Sequence, residues 1–253
     1  MSDIIEIENL TKIYRSFKGA KEVTALDGIS LTAQKGEFIG VMGPSGSGKT
    51  TLLNILSGVD TATAGSVRIE GRNLAAMKPD ELALFRRQRT GYIFQDFNLL
   101  ESLTLKENIA LPLILDKKTP REIEGRVDEL MAFFGIAELA GKYQYHASGG
   151  QKQRAAAARA LAADPAVCFA DEPTGNLDSK SSADVMDMLT RMNEQKDCTI
   201  LMVTHDAFAA SYCKRIVFIK DGQVSAQIRR AGDRKAFFDK ILEVLSVMGG
   251  DSR

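Results

Sequence analysis

Gly43, Pro44, Ser45, Gly46, Ser47, Gly48, Lys49 and Thr50 fit the pattern G-x-x-x-x-G-K-[ST]. These residue types suit one task, the holding of a polyphosphate. Glycines let backbone N–H groups turn inward and approach phosphate oxygens, and a helix that follows points its positive end at the same place. Lys49 is placed to reach β- and γ-phosphates as a point charge, and the Thr50 hydroxyl to ligate Mg²⁺. A plain glycine turn between strand and helix is the other reading of such a stretch. Context separates the two: Phe38–Met42 is short and largely apolar, and a helix-forming stretch follows the glycines. Strand, glycine loop and helix open a βαβ unit. Residues 43–50 are therefore expected to bind a nucleotide.

A second strand-length apolar run, Ala166–Ala170, ends in Asp171-Glu172. In a parallel sheet, the C-terminal ends of strands form the ligand-binding edge. There Asp171 can hold Mg²⁺, usually through water, and Glu172 can polarise or deprotonate an attacking water. An acidic N-cap for whatever follows is the commoner use of such a pair. A third run, Ile200–Val203, leads into Thr204-His205-Asp206, which puts His205 at a strand end as Asp171 is. A lone histidine there is either structural or directed at the γ-phosphate. Gln95, after Tyr92–Phe94, carries no signal by itself.

The elements that must position these groups are legible in the hydrophobic pattern. Residues 4–10 alternate as a half-buried strand does, and 24–32 and 66–71 are similar, so the first ninety residues read as strand-rich. Asp27-Gly28 and Asp221-Gly222 read as turns between strands. Segments 104–110 and 119–134 have helical spacing, with Ile123, Val127, Leu130, Met131 and Phe134 on one face, punctuated by Pro112 and Pro120. Residues 149–163 are alanine-rich and predict a strong helix stopped by Asp164-Pro165. The runs at 166–170 and 200–203 predict strands buried on both faces, as in a parallel sheet covered by helices. Residues 235–248 predict a last amphipathic helix with Phe238, Ile241, Leu242, Leu245 and Met248 on one side.

Composition removes several classes of function. The chain has 253 residues, enough for a substantial core, and 44% of them are apolar. Its 33 basic and 33 acidic residues cancel, which argues against a protein whose main task is to neutralise nucleic acid. No apolar run exceeds five residues, whereas a spanning helix needs about 20. The start MSDIIEIENL is acidic where a signal peptide is basic. Cys168, Cys198 and Cys213 show no CxxC spacing, so neither a disulfide framework nor a zinc site is expected. The chain is expected to be cytoplasmic.

Ser148-Gly149-Gly150-Gln151, followed by Lys152-Gln153-Arg154 and placed 23 residues before Asp171, resembles the signature motif of ABC-type ATPases. The resemblance extends over almost the whole chain, with the motifs in family order. It implies an α/β fold, the P-loop NTPase fold of ABC type, with a mixed core sheet, an N-terminal antiparallel β subdomain and an inserted helical subdomain. Core segments would be 1–96 and 146–230, the helical insertion 97–145, and 231–253 a C-terminal extension. It implies that Tyr14 stacks on adenine, that residues 43–50 and Thr51 bind ATP, and that Gln95 senses Mg²⁺ and the attacking water. Asp171 and Glu172 become the metal-side aspartate and catalytic glutamate. Asp178, in Gly175-Asn176-Leu177-Asp178, becomes the contact across a dimer, and His205 the switch histidine. The family's signature residues act in trans, on ATP held by a second copy, so two ATP lie between two head-to-tail subunits. Ala147 departs from the usual leucine, losing packing but no phosphate donor.

Residues 169–178 resemble the branch with lipoprotein-release and macrolide-exporter ATPases, and NIALPLIL (108–115) with the tail 236–250 looks most like its bacitracin-resistance (Bce-type) members. That implies an ATPase at the cytoplasmic face of a membrane, paired with a separate permease chain and serving antimicrobial-peptide resistance and sensing, with a sensor histidine kinase as a further possible partner. The tail either covers the core or docks a partner, and Phe97–Leu100 either packs the core or lies near a permease groove. A non-transport ABC ATPase acting on ribosomes or DNA is disfavoured by the single phosphate loop, the absence of heptads and the charge balance.

Overall fold

The computed structural model describes residues 3–15 and 22–250. They divide into two compact units, one drawn from Met1–Met77 and Leu201–Arg253, the other Lys78–Ile200.

The first unit begins with strands β1 (Asp3–Tyr14) and β2 (Val23–Gln34), then β3 (Phe38–Met42), helix α1 (Lys49–Leu56) and strands β4 (Ala64–Ile69) and β5 (Arg72–Asn73). β2-β1-β4-β5 form an antiparallel sheet, the expected N-terminal β subdomain. Asp27-Gly28 is not a turn between strands. It is a bulge inside β2: Leu10 pairs with Ile29 and Lys12 with Leu26, so two residues of β2 oppose one of β1. Gly28 adopts φ 69°, the left-handed backbone that one form of bulge assigns to glycine.

The second unit opens with an element outside the strand-rich expectation, α2 (Pro79–Arg89), with proline in its first turn and the Glu81 carboxylate accepting from Lys78 N at 3.0 Å. Phe85 is its one buried residue, which is why no apolar stripe betrays it. Then come β6 (Thr90–Ile93), α3 (Leu105–Leu115), α4 (Pro120–Phe133), α5 (Gly149–Leu161), β7 (Val167–Asp171), α6 (Ser179–Gln195) and the start of β8 (Thr199–Val203). Thr104, Thr119 and Ser148 cap α3, α4 and α5, each completed by Glu or Gln three residues on. Pro112 lies inside α3 instead of ending it; its missing N–H falls in the last turn, while Leu105, Ile109 and Leu113 hold the helix by burial. α4 buries Val127, Leu130 and Met131, as its spacing predicts, and Phe134 just beyond is buried too. β6 and β7 run parallel, in register from Thr90↔Val167 to Ile93↔Ala170.

The chain returns to the first unit with the end of β8, α7 (Ala207–Ala210), β9 (Arg215–Lys220), β10 (Gln223–Arg229) and α8 (Arg234–Gly250). The order here is β10-β9-β3-β8, with β9 parallel to β3 and antiparallel to β10, so the sheet is mixed. Asp221 and Gly222 both have positive φ, 50° and 77°, and form the expected hairpin turn. β3 is buried throughout, as are the first five residues of β9. Arg215 and Glu37 are ion-paired in this interior, Nε to Oε1 2.8 Å, with side chains 7% and 8% exposed. α8 faces inward through Phe237 and Ile241, with Phe238 half-buried and Leu242 exposed, so its apolar stripe is turned by about one residue from the expected one. In its first turn the Arg234 guanidinium lies 4.2 Å from the ring centre of Tyr212 and 5.3 Å from that of Phe208. All three cysteines are buried free thiols.

Candidate nucleotide site

The first unit carries the phosphate loop. β3 delivers residues 43–48 and α1 takes over at Lys49, anchored by buried Leu52, Leu53, Ile55 and Leu56. Gly43 admits no side chain: a Cβ there would stand 2.1 Å from the Ile219 carbonyl and 2.7 Å from Ser47 Oγ. Lys49 is buried, and its Nζ donates to the Gly43 and Pro44 carbonyls, each at 2.9 Å. The ammonium is thus folded over its own loop. Ser47 is 3% exposed, and its Oγ has no hydrogen-bond partner among the described residues. A buried hydroxyl without a partner, beside a buried ammonium, in a cradle that excludes side chains, fits a phosphate group. Pro44, Ser45, Gly46 and Thr50 are exposed, and Gly48 and Thr51 are half-exposed.

Tyr14 closes β1 and is 41% exposed. Its hydroxyl donates to Asp60 Oδ2 at 2.8 Å, and Lys12 donates from Nζ to Asp60 Oδ1 and to the Thr61 carbonyl, both at 2.7 Å. The Lys12 ammonium also lies 4.8 Å from the centre of the Tyr14 ring. Burial alone would raise the Asp60 carboxyl; hydrogen bonds from Lys12 and Tyr14 outweigh it and hold the group below the usual carboxylate range. The Tyr14 ring is therefore tethered at its hydroxyl end. His205 is exposed just past β8. Thr204 N donates to the Val41 carbonyl at 3.1 Å, which fixes the exit of β8 beside the strand that feeds the phosphate loop. Asp206 then caps α7 through Phe208 N and Ala209 N.

The second unit gathers Gln95, Asp171, Glu172, Asp178 and the signature residues into one network. Asp171 ends β7, half-buried, and acts on Tyr92: burial first, then the neighbouring Asp171 carboxylate, push the Tyr92 hydroxyl well above its ordinary pKa. Glu172 has φ 43°, a left-handed backbone that a residue with a Cβ adopts only under constraint. The turn that follows is held by Gly175 N donating to the Glu172 carbonyl at 2.9 Å. Gln95 lies over that turn, its Nε2 3.0 Å from where a Gly175 Cβ would be. Asn176 Nδ2 donates to Asp96 Oδ1 at 2.7 Å, tying the two segments again. Asp178 caps α6, accepting from Lys180 N, Ser181 N and Ser181 Oγ; the Ser181 hydroxyl above all holds its carboxyl low.

At the start of α5, Ser148 Oγ accepts from Gln151 N at 3.3 Å and Ser148 N donates to Gln151 Oε1 at 3.0 Å. This leaves Gly149 and Gly150 at the first positions of a capped helix, where the helix dipole favours an anion. A Cβ on Gly149 would lie 2.8 Å from Leu177, so the signature helix starts directly against the 175–178 loop. Further along α5, fully buried Gln153 donates to the Pro173 carbonyl at 2.9 Å and to the Phe94 carbonyl at 3.4 Å. Asp60, Tyr92, Asn176 and Gln153 are given no role by sequence reasoning. Asn176 and Gln153 carried a signal, one inside the 175–178 motif and the other just after the signature motif.

The residues present also fit Mg²⁺. That ion is commonly held by one or two protein groups with the substrate's phosphates and waters, and Thr50 and Asp171 are of the required types. Among the described residues, no three His, Cys, Asp or Glu side chains converge as a metal cage.

The family described as ABC transporter matches residues 26–175. The chain is 54% identical over 98% of its length to the uncharacterised ABC transporter ATP-binding protein YvcR of Bacillus subtilis, covering 96% of that protein. It is 48% identical, over 98% of its length and 97% of the relative, to the bacitracin export ATP-binding protein BceA of Halalkalibacterium halodurans. Among solved structures it is similar to the dimeric post-hydrolysis state of the ATP-binding cassette MJ0796 bound to ADP and Pi, with a TM-score of 0.81 and 38% identity over 90% of this chain and all of that one. The antiparallel sheet, the mixed sheet and the helices built around these motifs are thus those of an ATP-binding cassette, and the chain belongs to the ABC transporter family as an ATP-hydrolysing, ATP-binding subunit.

Proposed function

We propose that two copies of this chain close head to tail over two ATP and drive a separate membrane permease in a bacterial antimicrobial-peptide resistance and sensing system of the Bce type. The observation that supports the ATP-binding half of this reading is the Ser47 hydroxyl, which has no partner among the described residues, beside the inward-folded Lys49 ammonium. Tyr14 stacks on the base, and residues 43–51 hold the phosphates, with Lys49 exchanging its loop carbonyls for phosphate oxygens. Thr50, Gln95 and Asp171 would hold Mg²⁺, Asp171 through water, and the ion would supply charge neutralisation on the β- and γ-phosphates. Glu172 takes a proton from the water that attacks the γ-phosphorus; the new P–O bond forms as the bond to the ADP oxygen breaks. His205 and Gln95 orient the γ-phosphate and the water. Ser148, Gly149, Gly150 and Gln151 act on the ATP held by the second copy, and Asp178 contacts that copy.

The helical stretch 97–145 carries the closing movement to the permease. A cleft of about 270 Å³, lined in part by Tyr92, Leu111, Pro112 and Leu115, has room for one or two side chains of a permease segment. The permease places the chain at the cytoplasmic face of the membrane, and a sensor kinase can join through it. No described helix is long and apolar enough to cross a membrane. The bacitracin reading is supported by the 48% identity to BceA; service to a lipoprotein-release or macrolide-export permease is the alternative. A deletion strain tests the choice: bacitracin sensitivity rescued by the wild-type gene and not by Glu172→Gln supports the Bce role. Unchanged bacitracin tolerance with raised macrolide sensitivity supports the alternative.

A further inference from the structure

Gln153 stands where three parts of the hydrolytic machinery meet. The parallel ladder of β6 and β7 ends at Ile93↔Ala170. The register of β6 against β7 stops there, and Gln95 and Glu172 follow within two residues of it. The Gln153 amide has two N–H groups, and its Nε2 reaches one carbonyl on each side: Phe94, just before Gln95, and Pro173, just after Glu172. Its own backbone belongs to α5, the helix that starts with the signature residues. The side chain is fully buried, and its Oε1 has no hydrogen-bond partner among the described residues. A buried acceptor left unsatisfied is costly, so this position is explained by its two donors. Asparagine would be too short to span both carbonyls, and an apolar side chain would take the donor from the Pro173 carbonyl and leave Phe94 with its bond from Phe97 N alone.

We infer that Gln153 is a positioning residue for hydrolysis, fixing Gln95 and Glu172 relative to each other and to the signature helix. The inference rests on reading those two residues as the groups that act on the attacking water. A displacement of about 1 Å at such groups costs on the order of 10²-fold in rate. Glu172, already in a left-handed backbone, is the one most readily displaced when the Pro173 carbonyl loses its donor.

The test uses the full-length Gln153→Met protein, with Gln153→Asn and Glu172→Gln beside it. Met keeps the volume and removes both donors; Asn keeps the donors at shorter reach. Five quantities are read: the melting temperature, affinity for a fluorescent ATP analogue, kcat and KM of hydrolysis, and ATP-induced dimerisation in the Glu172→Gln background. The expected result for Met is kcat down roughly 10- to 100-fold, with KM, analogue affinity and dimerisation within about twofold. Unchanged kcat in folded Met protein overturns the inference. So does a kcat loss matched by equal losses of affinity and dimerisation, since that is the mark of a merely structural role. Should Met fail to fold, Asn decides by the same criteria. Normal turnover by Glu172→Gln would take down the underlying reading, whatever Gln153 does.

Discussion

The hydroxyl of Tyr14 donates to Asp60, 46 residues further along the chain, at 2.8 Å. The carboxylate that receives it is also bonded to Lys12, whose ammonium lies against the same ring. The aromatic surface proposed to meet adenine is therefore held by an ionised network.

Asp60→Ala should release the ring and weaken ATP affinity about three- to tenfold, corresponding to roughly 1 kcal/mol for a lost hydrogen bond. Titration with a fluorescent ATP analogue checks this; unchanged affinity would mean the tether is irrelevant. The pH dependence has a definite sign. The folded-state pKa of Asp60 is depressed below its ordinary 3.8, so its contribution is complete above 3.8 and is lost only as pH falls through the lower folded value. Between pH 5 and 8, this group should add no pH dependence to stability.

Ser47→Ala should separate the empty from the loaded protein. Removing a buried hydroxyl that has no partner should raise the melting temperature without nucleotide, by the equivalent of about 1 kcal/mol. The additional stabilisation by ATP and Mg²⁺ should shrink. Thermal melts with and without nucleotide read both effects, and a destabilised empty protein would contradict them. Lys49→Ala, by contrast, should abolish most ATP affinity.

Glu37 and Arg215 should behave as a buried pair. Glu37→Ala leaves the guanidinium in an interior where its side chain is 7% exposed, at a cost of about 3–5 kcal/mol. Urea unfolding of the isolated chain measures it; a loss under 1 kcal/mol would show that water reaches the pair.

What the sequence discloses is what depends on local chemistry. Residues 43–50 are readable because only glycines fit where Gly43 meets the Ile219 carbonyl, and Asp171 because an apolar strand must end before a carboxylate can face solvent. The face of α4 is readable because one side of that helix alone is buried. The rest depends on partners distant in sequence. Asp27-Gly28 has turn chemistry but is spent on a bulge, since β1 continues past it. Leu242 looks like part of a buried stripe, but α8 buries Phe237 and Ile241 and leaves Leu242 exposed. No pattern near Tyr14 announces Asp60.

Ser148→Arg should leave ATP binding by the single subunit intact and prevent the ATP-induced dimer. The substitution also removes the N-cap of α5, worth about 0.5–2 kcal/mol, so Ser148→Ala is the matched control for stability. A Ser148→Arg dimer of normal strength would count against signature residues acting in trans.

Size-exclusion chromatography with light scattering on Glu172→Gln, with and without ATP and Mg²⁺, is the most direct measurement. Glu172→Gln should slow hydrolysis by roughly 10²–10⁴ while preserving binding, so that the ATP-bound state persists. The expected result is a monomer without nucleotide and a dimer with ATP and Mg²⁺ that disperses when ADP replaces ATP. A monomer under every condition, with ATP demonstrably bound and the permease supplied, would contradict the two-ATP sandwich.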